Sequence, residues 1–497
     1  MLRGEGAPGG LLVLAITLTA TWVLFSSFRP SGTVDLWWTL RVGDHIRSHG
    51  DVPRTALWTM QAVRDLPYLA HGWMATVVFS GVADSLGLDA VPAVPCLLGL
   101  GVLAAVLWLG RLTGVSPILS VGLALMVLYP MLPRLMNRAE SFGYLCFALA
   151  LCVVAAFARR RRAAFLLWLV PLALLWANLH GSFLILLGFP PLLAAGLFFD
   201  SWRAAGYRVA SVRACLGETP LLSLALLWLA CFAATLLNPY GPRLLPSVLE
   251  QSSSPLWELM IQEWSPLYTR GEAPLHFWVP LGAAVAALVA ARRRVSGFSL
   301  LLAGVCFGLA VSSYRHVSLV GLGSVLLFAD FAKGIELGRR GRLALGATLS
   351  AGLLLASLSA AARRDWPARS LERHPSPYAT PEGVEYIRQH LRGNVLNDWS
   401  LGGLLIYFAH PQVRVAIDSR ADPYPPAYVR AWWRAISGSA NDTLGFVDRY
   451  EIDHIIVAHG LYSLWIEPKL DQLTGFRTVY TDGRLVVLSR PRVGGDG

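Results

Sequence analysis

Charge is scarce in this chain. Asp, Glu, Lys and Arg make up 15% of its 497 residues, while hydrophobic residues make up 55%. Soluble domains carry about 25% charged residues, so the deficit excludes an ordinary soluble protein and points to a polytopic membrane protein. Lysine is rarer still: 40 of the 42 basic residues are Arg, spread singly or in short runs between apolar segments. The net charge of +11 therefore marks topology, and the lack of a basic face with interleaved aromatics excludes nucleic acid as a partner. The six cysteines, Cys96, Cys146, Cys152, Cys215, Cys231 and Cys306, form no CxxC pair and lie in or beside apolar segments. That excludes a disulfide framework and a cysteine metal centre. Nucleotide loops, metal-ligand motifs, internal repeats and low-complexity linkers are also lacking.

What is present is a series of apolar segments of about 17 to 22 residues, long enough to cross a bilayer. They cover 10–28, 73–88, 90–110, 112–133, 141–158, 163–179, 181–199, 220–237, 273–291, 295–314, 317–332 and 343–362, and predict about 11–12 spans. Two are weak, because 73–88 contains Asp84 and 317–332 is short and contains Asp330. The first has no clear small-residue cleavage site and reads as an uncleaved span.

Arginine in short loops marks the cytoplasmic side. The runs at 159–162, 203–213, 292–294 and 333–342 are assigned there. That count leaves 178–180, 238–274, Arg315 with His316, and everything after 363 outside. With a cytoplasmic N-terminus the stretch from Asp35 is also outside, where Asp35, Asp44 and Asp51 offset its arginines. Four candidate spans then separate that stretch from Arg159, although an odd number is required. One segment, 73–88 or 112–133, is therefore expected not to cross fully. The chain is placed as a multi-pass protein of the cytoplasmic (inner) membrane with an extracytoplasmic C-terminal domain.

The domains expected are a membrane domain, 1–362, carrying the outer loop 29–72, and a soluble α/β domain, 363–497. In the latter "PEGVEYIRQHL" predicts a helix, with Pro381 suited to its first turn and Glu382 to its N-terminal dipole. "NVLND", "VRVAID" and "DHIIVA" predict strands, and "LGGLLIYFA", "YVRAWWRAI" and "TLGFVDRYE" predict the helices between them. "FRTVYTDGRLVVLSR" predicts a hairpin turning at Asp482 and Gly483. Alternating strands and helices imply a largely parallel sheet.

Polar residues at span ends are costly and mark sites or pathways. On the outer face these are Asp35, Asn178 and His180 of "ANLHGSF", Asn238, Tyr240 and Arg243 of "NPYGPRLL", Glu263 of "IQEWSP", and Arg315 and His316 of "SYRHVS". Each has a plain structural alternative: a helix cap, an interfacial hydrogen-bond donor, a turn or a lipid-phosphate contact. Trp37, Trp38, Trp58 and Trp73 suit an aromatic belt. A purely structural bundle does not need so many polar types on one side. In the outer domain Asp398, Asp418, Arg420 and Asp422 stand at the carboxyl ends of predicted strands, where open α/β sheets bind ligands. Close helix packing at Gly402 and Gly403, and a pair between Asp418 and Arg420, would account for the same residues.

A long outer loop that begins with Asp35 and continues through Trp37, Trp38, Leu40, Gly43, Ile46, Gly50 and Pro53 to His71 and Trp73 resembles the bacterial multi-spanning glycosyltransferase-C superfamily. That superfamily includes protein O-mannosyltransferases and lipid A aminoarabinose transferases. "WANLHGSF", "NPYG", "EWSP" and "NDWSLGGLLIY" with "VAIDSRADPY" resemble an uncharacterised branch of it. The resemblance covers nearly the whole chain. It implies a polyprenyl-phosphate-linked sugar as donor, a lipid, glycan or protein acceptor, and a catalytic acid at Asp35, either as general base or as the group orienting the acceptor hydroxyl. Members of the branch carry further acids where Ala56 and Gly72 stand, so the loop lacks that pattern's acidic partner. A divalent metal ion is left open.

The reaction also needs a cation for the leaving phosphate, for which Arg is suited by its fixed charge and several donors. Arg243 and Arg315 lead, with His316 beside them and Arg138 of "NRAES" if its turn lies outside. His71 and His180 follow Asp35 as bases. Asn178, Asn238, Tyr240, Glu263, Trp37 and Trp38 are the candidate substrate contacts. Two other functions suit the same composition: a transporter or flippase for a lipid-linked glycan, and a catalytically inactive envelope-assembly protein. The polar groups gather at one face and the halves do not repeat, which favours the enzyme over the transporter.

Overall fold

The computed structural model describes residues 6–28, 33–253, 261–269, 274–291, 295–362, 370–371, 376–420, 423–459 and 466–491. The chain folds as two compact units: Met1–Phe28 with Ala93–Arg364, and Arg29–Pro92 with Asp365–Gly497.

The first unit is helical. Among the described residues of the chain, seven helices are long and apolar enough to cross a membrane: Gly9–Ser27, Leu88–Thr113, Pro117–Arg134, Glu140–Arg160, Gly181–Ala204, Tyr314–Ala332 and Arg339–Ala362. The bent pair Val209–Glu218 and Leu221–Thr235, angled at 55°, makes an eighth if it is one span. Three expected spans appear as shorter apolar helices, Ala163–Leu179, Leu275–Ala291 and Gly297–Ser312. The first of them begins as a 3-10 helix, Ala163–Trp168, whose greater rise per residue lengthens it. Tyr314–Ala332 has 83% of its apolar window buried and forms the middle of the bundle; Gly9–Ser27, at 17%, and Arg339–Ala362, at 22%, pack on each other at its edge. With no hydrophobic drive between helices in lipid, small residues set the close approaches. Gly196 and Gly297 meet backbone to backbone, where a Cβ on either would collide with the other chain segment.

The second unit holds a five-stranded mixed sheet in the order β2-β1-β3-β5-β4. The strands are β1 Gly393–Asn397, β2 Val413–Val415, β3 His454–Ala458, β4 Arg477–Thr481 and β5 Leu485–Ser489. The first three run parallel, while β5 is antiparallel to both β3 and β4. Helices Pro381–His390, Trp399–Ala409, Pro426–Ser437 and Ala440–Arg449 complete it, in the order that the sequence predicts. Thr380 caps the first of these by accepting from Gly383 N at 2.9 Å.

The outer loop differs from its expected place with the membrane domain. Met60 N donates to the Val415 carbonyl at 3.1 Å and Thr59 bridges Val415 in parallel, so the loop covers the open edge of β2. An unpaired sheet edge is a liability, and this pairing removes it. Helix Leu36–His49 packs on Trp399–Ala409, and Trp73–Leu86 packs on Leu36–His49. At 14 residues, Trp73–Leu86 is about 21 Å long, short of a bilayer core of about 30 Å.

Candidate active site

In the first unit, a five-residue turn, 135–139, joins two membrane helices and brings charge together. Pro117–Arg134 ends in a 3-10 turn containing Pro133, and Glu140 opens the next helix, where a carboxylate is favoured by the dipole. Arg134 closes across this turn: its Nε donates to Glu140 Oε1 at 3.2 Å and its Nη2 to Oε2 at 2.7 Å. The same guanidinium donates from Nη1 to Glu263 Oε2 at 2.9 Å. Arg138 Nη1 donates to both Glu263 oxygens, at 3.3 and 3.2 Å. The Tyr144 hydroxyl donates to Glu140 Oε1 at 2.7 Å and stands 2.9 Å from Ser318 Oγ.

Arg315 completes the cluster. Its guanidinium lies 4.4 Å from the Trp264 ring centroid, a cation–π contact. Among the described residues it has no carboxylate within ion-pair distance. Tyr314 N donates to the Ser265 carbonyl at 3.0 Å and Ser313 Oγ to the Glu263 carbonyl at 3.3 Å, so the two segments are tied by backbone as well as charge. Burial opposes ionisation of Glu263, yet Arg138, Arg134 and Arg315 overcome it and hold the carboxyl down to about 2. Among the described residues, three guanidinium groups thus face two carboxylates in a partly buried setting. Such an arrangement suits an anion.

His180 Nδ1 accepts from Ser182 N at 3.1 Å and lies 2.8 Å from Ser182 Oγ. Ser182 Oγ in turn receives Trp176 Nε1 at 3.0 Å. These groups lie against Gly143, one turn from Glu140 and next to Tyr144, where a Cβ would stand 2.6 Å from Ser182 Oγ. His316 donates from Nδ1 to the Leu309 carbonyl at 3.2 Å. The fold therefore gathers Arg138, Glu263, Arg315, His316 and His180 of the sequence candidates. Arg134, Glu140, Tyr144 and Trp264 belong to the same cluster and were not among them. The signal for the first two was a pair of opposite charges flanking one short turn between apolar segments.

Other candidates have structural roles. Asn178 Nδ2 donates to the Leu174 and Leu237 carbonyls at 2.8 and 3.1 Å, joining two helix ends. Asn238 builds its own turn, donating to Thr235 and Gly241 carbonyls and accepting from Tyr240 N at 2.8 Å. Tyr240 is buried, and Arg243 is exposed in the 3-10 turn Gly241–Arg243.

In the second unit Asp35 precedes helix Leu36–His49 without capping it through its side chain; its Oδ1 accepts from Trp38 Nε1 at 3.3 Å. Trp37 is 2% exposed, against Tyr407 and Phe408, so it is a core residue and not a belt tryptophan. His71 is half-buried in the turn before Trp73–Leu86. Asp398 is buried and accepts from Ser400, Leu401 and Ala458 backbone N–H groups. Burial raises its carboxyl to about 6, against those hydrogen bonds. Asp418 and Arg420 pair at 2.7 Å with both side chains 0% exposed. Tyr424 donates to Asp418, and Trp58 and Tyr68 lie on Arg420. These residues fill the strand ends with their own partners instead of leaving them open to a ligand. Asp422 lies outside the described residues. Among the described residues no three His, Cys, Asp or Glu side chains gather to hold a metal ion.

No protein-family model matches the sequence, and no curated protein does. Solved structures do match the fold. The archaeal oligosaccharyltransferase AglB from Archaeoglobus fulgidus, in complex with an inhibitory peptide and a dolichol-phosphate, aligns at TM-score 0.59 and 13% identity, over 94% of this chain and 72% of that one. The Archaeoglobus fulgidus oligosaccharyltransferase in complex with Zn and sulfate aligns at 0.56 and 13%, over 95% and 72%. ArnT from Cupriavidus metallidurans, bound to undecaprenyl phosphate, aligns at 0.50 and 13%, over 97% and 98%. At such identity the likeness speaks to architecture alone: this chain shares the multi-spanning fold of these solved structures.

Proposed function

We propose that the protein is a membrane glycosyltransferase that moves a sugar from a polyprenyl-phosphate donor to an acceptor hydroxyl at the outer face of the cytoplasmic membrane. The observation that carries this reading is the cluster of Arg134, Arg138 and Arg315 around Glu140 and Glu263. The structures of like fold hold a dolichol-phosphate or undecaprenyl phosphate, which supports the donor class.

Topology supports the outer face. With a cytoplasmic N-terminus, the spans Leu88–Thr113, Pro117–Arg134 and Glu140–Arg160 separate the loop from the Arg run at 159–162, which is the odd number required. The turn holding Arg138 then lies outside. If the shorter helices cross as well, Glu263 and Arg315 follow it there.

The reaction needs a base for the acceptor hydroxyl and a cation for the leaving phosphate. The acceptor hydroxyl attacks the anomeric carbon while its proton passes to the Asp35 carboxylate, a step worth about 10² to 10⁴ in rate. The bond from that carbon to the phosphate oxygen breaks, and its electron pair leaves on the lipid phosphate, which Arg315 and its neighbours hold. A single in-line displacement inverts the anomeric centre. The test is mass spectrometry of envelope glycans with and without the protein, followed by complementation with Asp35→Asn and Arg315→Ala. A sugar that disappears with the protein and returns only with the wild type supports the reading; an unchanged glycan profile in the deletion ends it.

A further inference from the structure

We propose that Trp38 and Ser419 are positioning residues for the Asp35 carboxylate, so that the "IDSR" segment of the C-terminal sequence sets the orientation and basicity of the base. This rests on the reading of Asp35 as general base. The Trp38 Nε1–H is shared between Ser419 Oγ at 3.0 Å and Asp35 Oδ1 at 3.3 Å. Ser419 donates its own hydroxyl hydrogen to the Val34 carbonyl at 3.1 Å, which leaves its lone pairs for Trp38. Asp35 and Trp38 are three residues apart, on one helical face. The carboxylate is thus tied through one indole to a serine 384 positions further along.

Ser419 is itself held rigidly. Its neighbours Asp418 and Arg420 form the buried ion pair, and Arg420 lies between Trp58 and Tyr68 at 5.4 and 4.9 Å. Residues 34–38 are gripped from a second side. A Cβ at Gly403 would stand 3.0 Å from the Val34 carbonyl oxygen and 3.3 Å from Trp38 N. Trp37 packs on Tyr407 and Phe408 at ring distances of 5.3 and 4.9 Å. "IDSR" therefore acts as a scaffold for the first loop. A donor to a carboxylate favours its charged form and fixes its direction.

The experiment compares Trp38→Phe, Ser419→Ala and Ser419→Thr in the full-length protein. The probe is the polyprenyl-phosphate sugar extracted from the same membranes, followed from pH 5 to 8, with thermal melting as the fold check. Trp38→Phe is expected to lower kcat about 10- to 100-fold, the range for losing an outer partner of a reacting group. It should leave KM for the lipid donor unchanged and move the acid limb of the pH profile upward. Ser419→Ala should move the same limb, and Ser419→Thr should restore it. If Asp35→Asn is inactive while Trp38→Phe and Ser419→Ala keep the wild-type kcat and acid limb, the positioning role is overturned and the base stands. If Asp35→Asn keeps full activity, the base reading fails and takes this proposal with it. Should Trp38→Phe not accumulate, the two Ser419 variants decide alone.

Discussion

Arg134 donates to Glu263 at 2.9 Å across 129 positions of sequence, while holding Glu140 on its other edge. It is the pivot of the charged cluster, bound to both of its carboxylates. Arg134→Met is expected to destabilise the protein by about 3 to 5 kcal/mol, because it leaves buried Glu140 without its cation. Thermal melting in detergent checks this; an unchanged Tm would mean that the pair contributes nothing net.

Arg315 should behave in the opposite way. Its contact is the Trp264 ring at 4.4 Å, so Arg315→Ala should change Tm little. It should lower transfer by about 10² to 10³, as removing one donor to a developing negative charge does. Arg315→Lys keeps the charge but loses the fork and should recover only part of the rate. Turnover with the extracted lipid-linked sugar reads both.

Gly402 lies where a Cβ would meet the Ile417 carbonyl oxygen and the Cα of Asp418. Both obstacles are backbone at a strand end and have little room to give. Gly402→Ala is expected to cost about 1 to 3 kcal/mol, measured as a lower melting temperature. Gly445, with nothing near its Cβ direction, provides the control, and Gly445→Ala in helix Ala440–Arg449 should not destabilise.

Asp398 gives the protein a pH signature. Burial raises its carboxyl to about 6, from an ordinary value near 4. Between those values the folded chain holds a proton that the unfolded chain has released. Stability from this group is therefore full below about pH 4, falls as pH rises to about 6, and is level above it. The change amounts to at most about 3 kcal/mol. Melting of wild type minus Asp398→Asn from pH 4 to 7 should show this fall, and a difference that grows with pH would refute it.

The sequence by itself determined what depends on near neighbours. Long apolar runs become helices that lipid can accept, and the turn at Asp482 and Gly483 joins β4 to β5 because its chemistry is local. The strand and helix order of the C-terminal unit was legible in the same way. So was the presence of Arg138, Glu263, Arg315 and His316 at span ends, because a charge in an apolar sequence stands out without knowledge of its partner. What each polar group pairs with was not legible. Asn178 and Asn238 look like site residues in sequence, yet their amides go to backbone carbonyls freed at helix ends. Only the tertiary structure decided that residues 29–92 fold with the C-terminal unit and that Ser419 reaches Trp38. It also decided that Arg134 and Glu140, unremarkable as a turn, form the centre of the charged cluster. Those outcomes come from pairings between residues far apart in the chain, chosen because a buried donor, charge or sheet edge must find a partner, and local periodicity carries no record of which partner it finds.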